Sequence, residues 1–302
     1  MAILLAPAGS PEALDAALDA GADAVYVGLK GWSRGGARGE LDRDELSAAV
    51  RRAAARGAEI QVALNTIPRP PERAALLAEI PRLLDLGLRT LIVNDLGLVA
   101  ALPRRFPALR VTASVGCGAQ TVADVAFFRE LGAAAVVLPG TIGPEEASVC
   151  AAVGGITVEV MLHMVEEFLL LGKCWMPSYV HLKPTPLPDD VADGLRQSGS
   201  MKRGGVGACF RICQQPWELT TADGRRATQS FPGRQISRLA DVAGYLAAGV
   251  EVLKLQGRSL PPALLRPLVA RYRRALDAAA AGTPWPDPPE PELPARWTVV
   301  GR

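Results

Sequence analysis

Short runs of aliphatic and β-branched residues recur along the chain, and most are followed by a stretch whose apolar positions repeat at helical spacing. Ile3–Ala6 predicts a first strand, and Pro11–Ala20 a helix with Ser10 as N-cap and Pro11 in its first turn. Gly21 ends that helix. Ala24–Leu29 is continuously apolar, as a strand buried on both faces of a parallel sheet should be. The alternation then continues. Helix Asp42–Arg56 leads to strand Glu59–Asn65, helix Pro71–Leu86 to strand Thr90–Asn94, and a short helix after Asp95 to strand Arg110–Val115. Helix Thr121–Leu131 leads to strand Ala135–Leu138, and a helix opened by Gly143-Pro144-Glu145-Glu146 to strand Thr157–Leu162. A helix near Ser237–Ala248, strand Glu251–Gln256 and a last helix Pro261–Ala280 complete the series.

Eight strand–helix units predict an α/β fold, a closed (β/α)8 barrel of the TIM type. An open doubly wound sheet is the alternative, but no Gly-x-Gly-x-x-Gly follows the first strand. One stretch breaks the rhythm. Residues 164–235 form an insertion after strand seven, and about Met176–Val206 fits neither helix nor strand. Barrel and insertion are assigned to residues 1–281. The Pro-rich, acidic residues 282–302 are assigned to a C-terminal arm.

Composition narrows the function. A hydrophobic fraction of 49% is ample for a large core, and a net charge of +2 does not by itself point to nucleic acid. Lys202 and Arg203, with Arg211 nearby, make a local basic patch, but aromatics are only 5%, so RNA recognition by this chain alone is not expected. No apolar run reaches the roughly 18 residues of a membrane span. The start lacks the basic region of a signal peptide, and five cysteines are an odd count. These features predict reduced thiols and a cytoplasmic location.

Barrel sites lie at the C-terminal ends of the strands, and the insertion leaves from that face. It carries three of the five cysteines: Cys174, Cys209 and Cys213. Thiolates suit an iron–sulfur cluster, with zinc as the competitor and inert thiols as the plainer reading. Cys117 in Ser114-Val115-Gly116-Cys117-Gly118 is either a further ligand or a small residue in a tight turn, and Cys150 reads as core. His163, ending strand seven, is either a general base or a histidine bonded to a loop carbonyl. Arg258 follows strand eight, where barrels often hold anions. It could grip a substrate carboxylate through two hydrogen bonds, or pair with a loop acid. Lys254 could share that task or face the core.

Several blocks carry a resemblance. Leu4-Leu5-Ala6-Pro7-Ala8-Gly9-Ser10 and Gly21-Ala22-Asp23-Ala24-Val25-Tyr26-Val27-Gly28 are the first. Glu159-Val160 with His163, then Gly172-Lys173-Cys174, form the second. Leu253-Lys254-Leu255-Gln256-Gly257-Arg258 and Tyr272-Arg273-Arg274-Ala275-Leu276-Asp277 form the third. In this order they resemble the collagenase-like peptidase family U32. Tyr26–Lys30 looks most like its ubiquinone-hydroxylation members.

The resemblance implies oxygen-independent hydroxylation, or a related modification, of a small molecule or RNA. Prephenate would be the oxygen donor and a 4Fe-4S cluster would be bound. Cys174, Cys209 and Cys213 match cluster positions. Glu167, Trp32 and Ile236 stand where different members place the remaining cysteine, and Gln256 replaces the family's Glu. Glu167 could then ligate an iron, leave it open to substrate, or move protons with His163. The family name implies a second reading, a peptidase. A third is a non-catalytic, cluster-bearing partner for a related chain.

Overall fold

The computed structural model describes residues 2–33, 39–68, 70–165, 217–229 and 235–285. The strands are β1 (Ile3–Pro7), β2 (Ala24–Gly28), β3 (Glu59–Leu64), β4 (Thr90–Val93), β5 (Arg110–Ala113), β6 (Ala135–Leu138), β7 (Thr157–Val165), β8 (Trp217–Thr220), β9 (Arg226–Gln229), β10 (Gln235–Ser237) and β11 (Val252–Leu255). The helices are α1 (Pro11–Asp19), α2 (Arg43–Ala54), α3 (Pro70–Asp85), α4 (Leu96–Arg105), α5 (Val122–Glu130), α6 (Pro144–Ala151), α7 (Val242–Ala247) and α8 (Pro262–Ala280). β1 to β7 and β11 pair in parallel around a closed ring, with β11 between β7 and β1 and β6 closing onto β7. This is the predicted TIM barrel.

The helix starts follow from local chemistry. Ser10 Oγ accepts from Ala13 N at 3.2 Å, and Asp95 Oδ1 accepts from Leu98 N at 2.8 Å. At α2 the exchange is reciprocal: Asp42 Oδ1 accepts from Glu45 N at 3.0 Å, and Glu45 Oε2 accepts from Asp42 N at 2.9 Å. Thr121 and Asp124 repeat that box at α5. Each cap satisfies amides that the helix itself leaves bare.

The strands separate two cores. Toward the helices lie Leu4, Ala6, Val25, Val27, Val62, Leu64, Val158, Val160, Leu253 and Leu255, packed with residues such as Leu14, Ile80, Tyr245 and Tyr272. On the other pleat Leu5, Ala24, Tyr26, Ala63, Ile92 and Val252 form a separate cluster inside the ring. The period of two along each strand decides which set a residue joins.

Three elements depart from expectation. The predicted helix Ser237–Ala248 starts later, because Gln235–Ser237 is β10, antiparallel to β7 with Ser237 opposite His163. A 3-10 turn at Leu239–Asp241 then precedes α7. β7 runs on to Val165, past the predicted end at Leu162, since β10 gives its last residues a partner. The insertion also contains an unpredicted antiparallel hairpin, β8–β9, whose turn uses Gly224 at φ +83. No helix among the described residues is long and apolar enough to cross a membrane.

Candidate functional site at the barrel mouth

At the C-terminal ends of β2 and β11 the chain builds a seat for Arg258. Its Nη1 donates to Ser33 Oγ, a side chain with 0% exposure, and its Cζ lies 5.9 Å from the centre of the Tyr26 ring. Gly28 makes the approach possible. A Cβ there would fall 2.5 Å from Arg258 Nη1, 2.5 Å from Ser33 Oγ and 2.9 Å from the Gly39 carbonyl oxygen. The glycine is needed for space rather than for a left-handed backbone.

Below this seat polar side chains lie in the barrel interior beside its apolar cluster. Lys254 Nζ lies 2.9 Å from Glu159 Oε2, with both side chains almost fully buried. Glu159 Oε1 also accepts from Thr112 Oγ1 at 3.4 Å. Lys254 Nζ is 5.1 Å from the centre of the Tyr26 ring, which thus has two cations near it. Lys254 takes the inward of its two expected placements. Tyr26 Oη donates to the Leu255 carbonyl at 2.9 Å, tying β2 to β11. Burial pushes the Tyr26 phenol up to about 12; Arg258 opposes the shift and Glu159 adds to it. The ring therefore stays neutral and keeps its donor at ordinary pH. Gln61 pairs in register with Tyr26, and its buried Oε1 has no hydrogen-bond partner among the described residues.

His163 sits on a bulge. Lys254 pairs with Met161 and Leu255 with His163, so Leu162 is an extra residue on β7. The His163 ring meets α8: Nδ1 is hydrogen-bonded to Tyr272 Oη at 3.2 Å. Tyr272 Oη also donates to the Leu162 carbonyl at 3.2 Å and lies 3.0 Å from Ser237 Oγ. Burial, with the Arg271 cation adding to it, pushes the imidazole down to about 3. This geometry fits a neutral, hydrogen-bonded histidine better than a general base facing the mouth.

Cys117 lies in a 3-10 turn capped by Ser114, and is buried in the layer between strands and helices. Its Sγ donates to the carbonyls of Val93 at 3.4 Å and Asn94 at 3.7 Å. That is the small residue in a tight turn, with its thiol turned to backbone oxygens. Cys150 is buried on α6, and burial pushes its thiol up. Ile236 packs with Val137, Met161 and Met164 on the β7–β10 corner. Gln256 N donates to the His163 carbonyl at 2.7 Å. Glu167, Cys174, Cys209 and Cys213 lie outside the described residues, as do Lys202, Arg203 and Arg211. Among the described residues no group of three or more His, Cys, Asp or Glu side chains could hold a metal ion.

Sequence reasoning found Arg258 from its place after the last strand, but not the roles of Tyr26, Gly28 and Ser33. Nor did it pair Glu159 with Lys254. One signal was present: each is a charged residue inside an apolar strand, and such residues are rarely buried unless paired.

Comparison with known proteins adds the following. Residues 9–293 match the family described as peptidase family U32. The tRNA hydroxylation protein P of Escherichia coli (strain K12) is 25% identical, over 93% of this chain and 69% of its own length. The 23S rRNA 5-hydroxycytidine C2501 synthase of the same strain is 26% identical, over 91% of this chain and 39% of its own length. A collagenase of Porphyromonas gingivalis (strain ATCC BAA-308 / W83) is 21% identical, over 93% of this chain and 66% of its own length. Among solved structures, the U32 peptidase Mk0906 covers 86% of this chain and 95% of its own, at 17% identity and a TM-score of 0.55, which supports the fold.

Proposed function

The chain belongs to peptidase family U32, and on that premise we propose that it is an iron–sulfur protein of oxygen-independent hydroxylation. The proposed target is an RNA base or a small molecule, with prephenate as the oxygen donor. The observation that carries the reading is that two relatives, each spanning more than nine-tenths of this chain, are named for hydroxylation of tRNA and rRNA. Those names favour RNA over the ubiquinone precursor expected from Tyr26–Lys30. The few aromatics favour delivery of an RNA target with help from a related chain.

In this reading Cys174, Cys209 and Cys213 hold a 4Fe-4S cluster, with Glu167 as the candidate for the fourth position, since the Cys117 thiol is turned to backbone carbonyls in the layer between strands and helices. The cluster would supply redox-active iron. The chain's own contribution is binding and orientation. Arg258 takes a carboxylate of the small substrate, held by the Ser33 hydroxyl and the Tyr26 ring. Of the two groups named for proton transfer, the His163 ring is buried against Tyr272 and held against taking up a proton, so Glu167 is the one assigned that work.

The test is anaerobic purification followed by iron, sulfide and zinc analysis and a visible spectrum. About four irons and four sulfides per chain, with broad absorption near roughly 400 nm, is the expected result. Replacing Cys174, Cys209 or Cys213 with Ser should abolish it, Glu167→Ala tests the fourth position, and Cys117→Ser should leave the cluster intact because that thiol is turned to backbone carbonyls. One zinc without sulfide would overturn the reading in favour of metal-assisted hydrolysis, the alternative that the relative named collagenase supports.

A further inference from the structure

We propose that Tyr26, Gly28 and Ser33 are positioning residues with one joint task, which is to hold the Arg258 guanidinium ready for a substrate carboxylate. The inference rests on the assignment of Arg258 as the anion-binding residue above. It adds which residues make that arginine selective.

Three independent features converge on the same guanidinium. Gly28 has no need of a glycine backbone, yet any side chain there would collide with Nη1 of Arg258 and with Ser33 Oγ, each 2.5 Å from an added Cβ. Ser33 is wholly buried, and its hydroxyl accepts from that same Nη1. Tyr26 places its ring 5.9 Å from the guanidinium carbon, while its own hydroxyl is pinned to Leu255, three residues before Arg258. β2 and the loop after it thus hold both the end of β11, at Leu255, and the arginine itself. Lys254, the other cation near the ring, is compensated by Glu159 at 2.9 Å. A planar fork held in one place matches a carboxylate, and pre-ordering it removes the entropy cost of fixing a long side chain on binding.

The experiment is calorimetric titration of the full chain with prephenate. Arg258→Lys should weaken binding about tenfold or more, because an ammonium cannot reproduce the fork. Ser33→Ala and Tyr26→Leu should each weaken it roughly three- to tenfold, the worth of one hydrogen bond or one cation–ring contact. Tyr26→Phe, which keeps the ring but loses the bond to Leu255, should weaken binding less than Tyr26→Leu. The deciding measurement repeats Ser33→Ala and Tyr26→Leu in the Arg258→Lys background, where each should cost less than about twofold. A merely structural role would lower affinity by the same factor in both backgrounds, and that result overturns the proposal. So does wild-type affinity in Ser33→Ala and Tyr26→Leu. Ser33→Ala removes one buried hydroxyl and remains informative if Gly28→Ala does not fold. Wild-type protein that takes up no prephenate overturns the assignment of Arg258 itself, an outcome visible before any variant is made.

Discussion

The two faces of the same barrel strands solve burial in opposite ways. Leu253 and Lys254 are consecutive on β11, with exposures of 0% and 4%. Leu253 packs with aliphatic residues between strands and helices. Lys254 enters the ring, where Glu159, Thr112, Gln61 and Thr90 are also buried. The outer face is stabilised by close packing of apolar surface. The inner face holds charges that survive burial only because they are matched. The apolar layer therefore tolerates no loss of volume, and the polar interior tolerates no loss of one partner alone.

That comparison can be broken experimentally. The largest effect should come from Lys254→Met, which strands the Glu159 carboxylate and should cost about 3–5 kcal/mol in urea denaturation. Adding Glu159→Leu should return most of that loss, because the matched pair contributes little net stability. A double variant as unstable as the single one would show that the pair is worth more than its desolvation. Leu253→Ala should cost about 2–5 kcal/mol by leaving a cavity, and no second substitution of this kind should restore it.

A pH-dependent effect belongs to His163. Its imidazole is pushed from 6.5 down to about 3 in the folded chain, so the unfolded chain binds one more proton between those values. The stabilisation is fully present above 6.5 and is lost as pH falls toward 3, at about 1.4 kcal/mol per pH unit within that window. His163→Gln should remove that one-proton dependence, read as the pH slope of urea-denaturation free energies. An unchanged slope would show that the ring is not buried neutral beside Tyr272. The smallest effect should be Asp42→Ala, which removes the α2 cap for about 1 kcal/mol in the same assay.

Much of this architecture was legible before any coordinates. Ser10 is legible as a cap, and helix starts are legible at Asp42, Asp95 and Thr121, where the structure adds caps completed within a few residues of the capping side chain. Apolar runs marked all eight barrel strands within a few residues of their ends. The elements that escaped are those with little local pattern. β10 is three residues long and exists through its pairing with β7, seventy or more residues earlier. His163 was placed at the right strand end, but the bulge at Leu162 depends on β7 pairing with β11 and gives no signal in β7 alone. Arg258 could be read from its position. Its seat could not, because Ser33 and Arg258 are 225 residues apart in the chain.

The class of fold and the order of its elements follow from local pattern in the chain, since hydrophobic period, capping and glycine stops act over distances of one turn or one strand. The sequence also set which residue types were available for chemistry: the thiols of the insertion, an arginine in the loop after the last strand, and a lysine and a glutamate within barrel strands. Only the closed barrel decided which of these meet. Ring closure brings β11 between β7 and β1, and a one-residue bulge turns His163 to α8 while Lys254 stays inside with Glu159. Contacts between residues so far apart are set by the packing of whole elements, and no local pattern in the chain records them.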